Sequence, residues 1–179
     1  RDALGSMPMG NGDIGINVWV EPSGDLCFFI GKTDAWDENM RLLKVGKVRV
    51  TFNPPLDTGK GFRQELKLRD GAMVIQTPRA EVRVWVDANH PVIEVEAKSL
   101  TGEALEARAS FEVWRKTKRA LGRPQSGGRN EYFATGYTSL PAFSYPDTVL
   151  PAGSDHIGWY HRNAVSPWLP SLQLQKLDA

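Results

Sequence analysis

Alternation of apolar and polar residues with a period of two runs through most of the first 113 residues. In residues 47–52 and again in residues 81–87, every second side chain is a valine or a phenylalanine. Successive side chains of a β-strand point to opposite faces, so each run predicts a strand with one apolar face. Two sheets bury such faces by packing against each other, and short connections favour antiparallel neighbours. The sequence therefore predicts an all-β fold, a large antiparallel β-sandwich.

Turn residues divide these runs into eight predicted strands. Glu21-Pro22-Ser23-Gly24 and Asp70-Gly71 are typical of hairpin turns, and Asn89-His90-Pro91 and Thr101-Gly102 separate later runs. The predicted strands cover residues 14–20, 25–30, 45–52, 62–68, 72–76, 81–87, 93–97 and 105–113. One short helical turn is predicted, at Asp37–Leu43.

Residues 116–155 break this rhythm and predict one long irregular loop. The stretch is rich in Gly, Pro, Ser and Thr and contains no extended run that favours a strand. Loops of this length within compact domains are often functional. The basic segment where the loop starts, Arg115–Arg119, is interpreted as a solvated rim. An aromatic strand is predicted to follow the loop at His156–Asn163.

Charge and cysteine content exclude several kinds of partner and site. Lys and Arg together number 22 and Asp and Glu 21, so the net charge of +1 favours neither a nucleic acid nor an anionic membrane as partner. No run of 18 apolar residues predicts a transmembrane helix. The single cysteine, Cys27, lies in an apolar run and is interpreted as a buried thiol. The three histidines lack metal-ligand spacing, so no metal or cofactor is expected.

A glycine motif, Gly10-Asn11-Gly12-Asp13-Ile14-Gly15, matches the pattern GxGxxG. That pattern binds dinucleotides when it follows a strand and opens a helix, whose N-terminus holds the pyrophosphate. Here no strand is predicted before the glycines, and a β-rich run follows them. The glycines are therefore interpreted as a tight loop that leads into the first strand.

The densest polar cluster is Lys32–Asn39, which is expected to be a surface loop. Asp34, Asp37 and Glu38 would supply the paired carboxylates of glycoside hydrolysis, and Trp36 would stack on a sugar ring. Lining of a ligand site, a domain interface and plain turn chemistry with a helix cap are alternatives that residue types alone leave open.

The late segment Gly158–Asn163 places Trp159, His161 and Asn163 on one face of a strand and Tyr160 and Arg162 on the other. Trp beside His and Arg is a common lining of carbohydrate clefts. The alternative is a strand whose aromatic side chains fill the core, with His161 bonded to a backbone group.

Three blocks together resemble a bacterial group of glycoside-hydrolase-like proteins that includes the family 95 α-L-fucosidase-like enzymes. The blocks are Ser6–Val20, which contains the PxGNGxxG pattern, then Lys32–Trp36 (KTDAW), then Trp159–Asn163 (WYHRN). In that group such a segment begins an N-terminal β-super-sandwich. A linker and an (α/α)6 barrel follow, and the barrel carries the acid and base carboxylates.

The resemblance implies a β-super-sandwich over residues 1–165 and the start of a linker, or of a helix, over residues 166–179. The downstream (α/α)6 barrel of the same chain would be the partner, with carbohydrate as ligand. The fragment would be inactive alone and its parent a glycoside hydrolase, so no catalytic residue is assigned. The expected cleft or interface residues are Asn11, Asp13, Lys32, Asp34, Trp36, Asp37, Trp159, His161 and Arg162. Export to the periplasm or the cell exterior is expected from the same resemblance.

Two other functions fit the same residues. Exposed Trp36, Trp114, Trp159 and Tyr160 would suit a stand-alone carbohydrate-binding module, because aromatic faces stack on sugars. A structural domain that only docks another domain would instead carry an exposed apolar patch.

Overall fold

The computed structural model describes residues 3–37, 41–121, 143–153, 155–163 and 169–176. The chain forms two compact units. Unit 1 comprises residues 1–33 and 44–112, and unit 2 comprises residues 34–43 and 113–179. Two strands, β3 (Leu26–Trp36) and β4 (Leu42–Asn53), contribute residues to both units.

Unit 1 contains two antiparallel sheets. The strands of the first are β1 (Met7–Gly10), β2 (Ile14–Val20), β3, β4 and β9 (Glu106–Glu112), in the order β1-β2-β3-β4-β9. The strands of the second, in spatial and chain order, are β5 (Arg63–Lys67), β6 (Ala72–Gln76), β7 (Ala80–Val86) and β8 (Ile93–Ser99). The all-β prediction is confirmed.

A single core joins the apolar faces of these two sheets. It contains Ile16, Val18 and Phe28 from the first sheet and Ile75 and Val82 from the second, all buried. These residues follow the predicted alternation, so burial of one face per strand accounts for the sandwich. Cys27 is fully buried, as predicted, and burial raises the pKa of its thiol to about 12.

Unit 2 is built differently. Its short strands pair as β10 (Arg119–Ala120) with β11 (Phe143–Ser144) and β12 (Thr148–Val149) with β13 (Trp159–Tyr160). A six-residue helix, α1, covers Leu169–Leu174, within the segment predicted as a linker or helix start. None of the described apolar side chains of unit 2 is buried, whereas Asp37 and Arg115 are.

The helical turn predicted at Asp37–Leu43 is wrong for its described residues, and residues 38–40 lie outside the described part of the chain. Leu42 and Leu43 belong to β4, and β3 continues to Trp36, so most of Lys32–Asn39 is strand and not loop. The Asp37 carboxylate accepts from the Arg41 backbone N–H at 2.9 Å and from Arg41 Nε at 2.8 Å, while Asp37 N–H donates to the Arg41 carbonyl at 3.0 Å. These bonds join the residue after β3 to the residue before β4, where the polar composition had suggested a helix cap.

Three smaller predictions also need correction. A strand, β1, does precede the glycine motif, and the motif's Asn11-Gly12-Asp13 turn joins it to β2. The strand predicted at residues 62–68 is limited to Arg63–Lys67, and Leu68 lies in the turn after it and is 83% exposed. The strand expected at His156–Asn163 is limited to Trp159–Tyr160.

Part of the predicted irregular loop at residues 116–155 is confirmed. Its described residues form only two-residue strands, and residues 122–142 lie outside the described part of the chain. No helix among the described residues is long and apolar enough to cross a membrane.

Candidate functional site

The nine residues expected at a cleft or interface divide between the two units. Asn11, Asp13 and Lys32 belong to unit 1, and the other six belong to unit 2.

Asn11 holds a turn together. Its Oδ1 accepts from the backbone N–H of Asp13 at 3.0 Å and of Ile14 at 2.8 Å, and its Nδ2 donates to the carbonyls of Asp87 at 2.7 Å and His90 at 3.2 Å. The side chain thus fixes the β1–β2 turn and ties it to the β7–β8 connection. These hydrogen bonds explain why an asparagine occurs in the glycine motif, and no ligand is needed to explain it.

Asp13 and Lys32 form an ion pair at the same turn. Lys32 Nζ lies 3.1 Å from Asp13 Oδ1, and Thr33 Oγ1 donates to that oxygen at 3.0 Å. Hydrogen bonds from Lys32 and then from Thr33 lower the pKa of Asp13. The Asp13 carboxylate is therefore ionised, and it already accepts hydrogen bonds from Lys32 and Thr33.

Asp37 is a buried structural acid. Its carboxylate is 3% exposed and paired with the guanidinium of Arg41. Glu38, the other member of the expected carboxylate pair, lies outside the described residues, and Asp34 is exposed. A carboxylate held by a guanidinium in this way stabilises the connection between β3 and β4.

Trp36 and Asn163 bring together two of the three blocks that carried the family resemblance. Asn163 Nδ2 donates to the Trp36 carbonyl at 3.0 Å, across 127 positions of sequence. The Trp36 residue is 47% exposed, and Arg162 is exposed beside Asn163 in sequence. The end of β3 and the segment after β13 therefore form one exposed surface of unit 2.

Behind this segment lies a buried polar cluster of Arg115, Asp147 and His161. Asp147 Oδ1 accepts from Arg115 Nε at 2.8 Å and lies 2.8 Å from His161 Nδ1. The exposed fractions of the three side chains are 9%, 2% and 16% in that order. The Asp147 backbone N–H also donates to the Arg115 carbonyl at 2.9 Å.

The cluster corrects two interpretations. Arg115 is buried and paired, so it is not part of a solvated rim, and His161 is bonded to a carboxylate and not to a backbone group. Sequence reasoning did not select Arg115 or Asp147 as site residues. A signal for Arg115 was available, because the odd-numbered positions from 105 to 113 are the apolar ones and the next odd position is 115.

Geometry assigns the hydrogen of the imidazole ring. An ionised carboxylate only accepts, so the hydrogen is placed on His161 Nδ1. The other ring nitrogen, Nε2, is the only buried side-chain nitrogen or oxygen in the described residues without a hydrogen-bond partner. An aspartate that orients a histidine is an arrangement found at catalytic and metal sites, but no group of three possible metal ligands occurs among the described residues.

Comparison with known proteins gives one match. A model of the family DUF5703_N, described as a domain of unknown function, matches residues 1–179. No curated protein and no solved structure matches the chain.

Proposed function

The chain belongs to the DUF5703_N family, and from this starting point we propose that it is a non-catalytic N-terminal domain of a glycoside hydrolase. In this proposal it packs against a downstream (α/α)6 barrel of the same chain and helps to shape the carbohydrate cleft of that barrel. The resemblance of the PxGNGxxG, KTDAW and WYHRN blocks motivates the glycoside hydrolase assignment, and the family name, which marks an N-terminal domain, fits the domain order.

One observation carries the docking part of the proposal: exposed apolar side chains are concentrated in unit 2. Eight of the twelve exposed large apolar residues among those described belong to this unit. They are Trp36, Leu42, Trp114, Val149, Leu150, Ile157, Tyr160 and Leu174. Apolar groups gathered on one part of a surface are typical of an interaction site.

The same unit contains part of one block of the family resemblance and the whole of another. Trp36 ends the KTDAW block, and Trp159 to Asn163 form the WYHRN block. The hydrogen bond from Asn163 to the Trp36 carbonyl holds the two blocks together. A docking surface that contains these blocks would explain why they stand out in the sequence.

Activity of the parent protein tests the proposal. The parent is expected to hydrolyse at least one member of a panel of glycosides, whereas the 179-residue chain alone hydrolyses none. Trp36→Ala in the parent is expected to lower kcat/KM, because it removes an exposed ring from the docking surface. Leu68→Ala is the matched control, since Leu68 is an exposed apolar residue of unit 1. A parent that hydrolyses no glycoside, or equal effects of the two substitutions, would contradict the proposal.

A stand-alone carbohydrate-binding module is the second candidate. Trp36, Trp114 and Tyr160 favour it, because each is between 45% and 47% exposed and aromatic faces stack on sugar rings. Calorimetry of the chain alone against a glycan panel distinguishes the two. Binding with micromolar affinity that Trp36→Ala abolishes would favour the module, and silence with every glycan would exclude it.

The proposed activity also implies export, because proteins that degrade polysaccharides in the resembling group are usually exported. Fractionation of the producing cells tests this. Recovery of the parent protein only in the cytoplasm would contradict it.

A further inference from the structure

The exposed apolar residues of unit 2 are not evenly spread: four of the eight lie on one hairpin. Strands β12 and β13 pair Thr148 with Tyr160 and Val149 with Trp159. The Leu150 backbone N–H continues the pairing by donating to the Gly158 carbonyl at 2.9 Å. We call this segment, residues 148–160, the apolar hairpin.

Its base is fixed by the buried cluster. Asp147 immediately precedes β12 and His161 immediately follows β13, so their side-chain hydrogen bond at 2.8 Å closes the open end of the hairpin. Arg115 holds the same carboxylate from a third segment, and its carbonyl accepts from the Asp147 backbone N–H. The hairpin is therefore anchored on a rigid polar base.

Above that base the side chains that reach solvent are apolar. Val149 is 58% exposed, Leu150 47%, Ile157 41% and Tyr160 47%. The titratable groups of the described part of the hairpin are Asp155 and His156, whose Oδ1 and Nδ1 atoms lie 2.7 Å apart. A partner for this surface is expected to be apolar, because the large exposed side chains of the hairpin are apolar.

Two physical arguments indicate that the hairpin has a partner. A two-stranded hairpin alone is at best marginally stable in water, and this one buries none of the four side chains. At its base, His161 Nε2 is a buried nitrogen without a hydrogen-bond partner among the described residues. Native proteins rarely leave such an atom unsatisfied, so this end of the hairpin is incomplete within the described part of the chain.

We propose that the apolar hairpin is the element of unit 2 that docks into an apolar groove between helices of the downstream barrel. This inference rests on the proposed function, which supplies that barrel. Tyr160 lies 19 residues before Ala179, and a chain of that length spans at most roughly 65 Å even when fully extended. The barrel of the proposed function would thus be tethered within reach of the hairpin, which raises its effective concentration there.

Hydrogen exchange tests the inference on the 179-residue chain and on the parent protein. The Leu150 amide and the paired amides of β12 and β13 are expected to exchange at least about tenfold more slowly in the parent. In the parent, Val149→Asp is expected to abolish this protection, and Val149→Thr, which keeps the branched shape, to reduce it partly. Leu68→Asp, at an exposed apolar residue of unit 1, should leave it unchanged.

The outcomes separate this inference from the proposed function. If other parts of unit 2 gain protection in the parent while the hairpin amides do not, the hairpin is not the docking element, although the domain still docks. If no part of the chain gains protection, docking itself is wrong. If the hairpin amides are protected in the chain alone, and more so at higher concentration with a dimer by light scattering, the occupant is a second copy and the inference is overturned.

Discussion

Among individual residues, Asp147 is expected to contribute most to the stability of unit 2, because its Oδ1 atom is shared by the side chains of Arg115 and His161. Replacing Asp147 with Asn leaves the buried guanidinium of Arg115 without its counter-charge, and such a loss costs about 3–5 kcal/mol. His161→Phe removes one hydrogen bond together with the unpartnered Nε2, keeps the Arg115 pair, and is expected to cost about 1–2 kcal/mol.

Urea unfolding, followed by a probe in unit 2, measures both losses. Asp155→Asn is the control, because the Asp155–His156 pair is exposed and is expected to contribute little. Equal losses for Asp147→Asn and His161→Phe would mean that the ion pair with Arg115 does not stabilise the unit.

The sequence predicted burial at single positions well where alternation applied, as for Cys27 and the core valines. It did not predict the cluster, because Arg115 and Asp147 are 32 positions apart and neither belongs to a motif. An ion pair is set by which segments the fold brings together, and alternation within one strand carries no information about that.

Among the structural elements, the β2–β3 turn depends on a glycine for two reasons. Gly24 has a φ of +91°, and a Cβ at this position would lie 2.5 Å from the Leu56 carbonyl oxygen. Gly12, in the β1–β2 turn, has a similar φ of +95° but nothing within 4 Å. We expect Gly12→Ala to cost about 1 kcal/mol from backbone strain alone and Gly24→Ala to cost more, about 2–4 kcal/mol, because backbone must also move.

Thermal unfolding of the two glycine variants beside the unchanged chain measures the difference. The positions share their backbone conformation and differ in the space around them. Equal losses of stability would show that the approach to Leu56 contributes nothing.

A second element-level prediction concerns pH and the outer face of the first sheet. Arg49 donates to Glu21 at 2.8 Å, to Asp25 at 2.8 Å and to Glu112 at 2.7 Å. Hydrogen bonds from Arg49 are the main reason why the pKa values of Glu21 and Glu112 lie below 4.5. A carboxyl whose pKa is lower when folded stabilises the fold above its unfolded pKa and loses that contribution as pH falls.

The urea midpoint is therefore expected to fall between pH 6 and about pH 3. In Arg49→Gln it should be lower at pH 7 and should change less with pH, because the carboxylates have lost their main partner. Arg83→Gln, at an exposed arginine of β7, is expected to retain the pH dependence of the unchanged chain. The same dependence in both variants would exclude Arg49 as its source.

Strand boundaries were predictable where turn residues interrupt the alternation, and β2 and β6 match their predicted ranges. The prediction failed at the β3–β4 connection, because polar residues there suggested a loop. Strand pairing satisfies the backbone of Lys32 to Trp36 regardless of side-chain polarity, and the Asp37–Arg41 pair closes the connection. Pairing with neighbouring strands, and not the local composition, therefore determined the structure of this segment.

For the whole molecule, the two units differ in what holds them together. Every fully buried apolar side chain among the described residues belongs to unit 1, while the described part of unit 2 is held by short strand pairs and by the ion pairs of Asp37 and Asp147. Apolar burial is the main source of stability in folded domains. The alternating pattern predicted the first kind of unit and carries no signal for the second.

This difference predicts that the chain alone does not open as one cooperative body. In the 179-residue chain, amides of β2, β6 and β7 are expected to exchange on the order of 100-fold more slowly than amides of β10 to β13, a difference of roughly 3 kcal/mol in opening free energy. Native-state hydrogen exchange read by mass spectrometry of peptides measures both sets in one sample. Equal protection would mean that unit 2 is as stable as the sandwich without an apolar core among its described residues. Its exposed hairpin would then be stable without a partner, and the case for docking would rest on exposure alone.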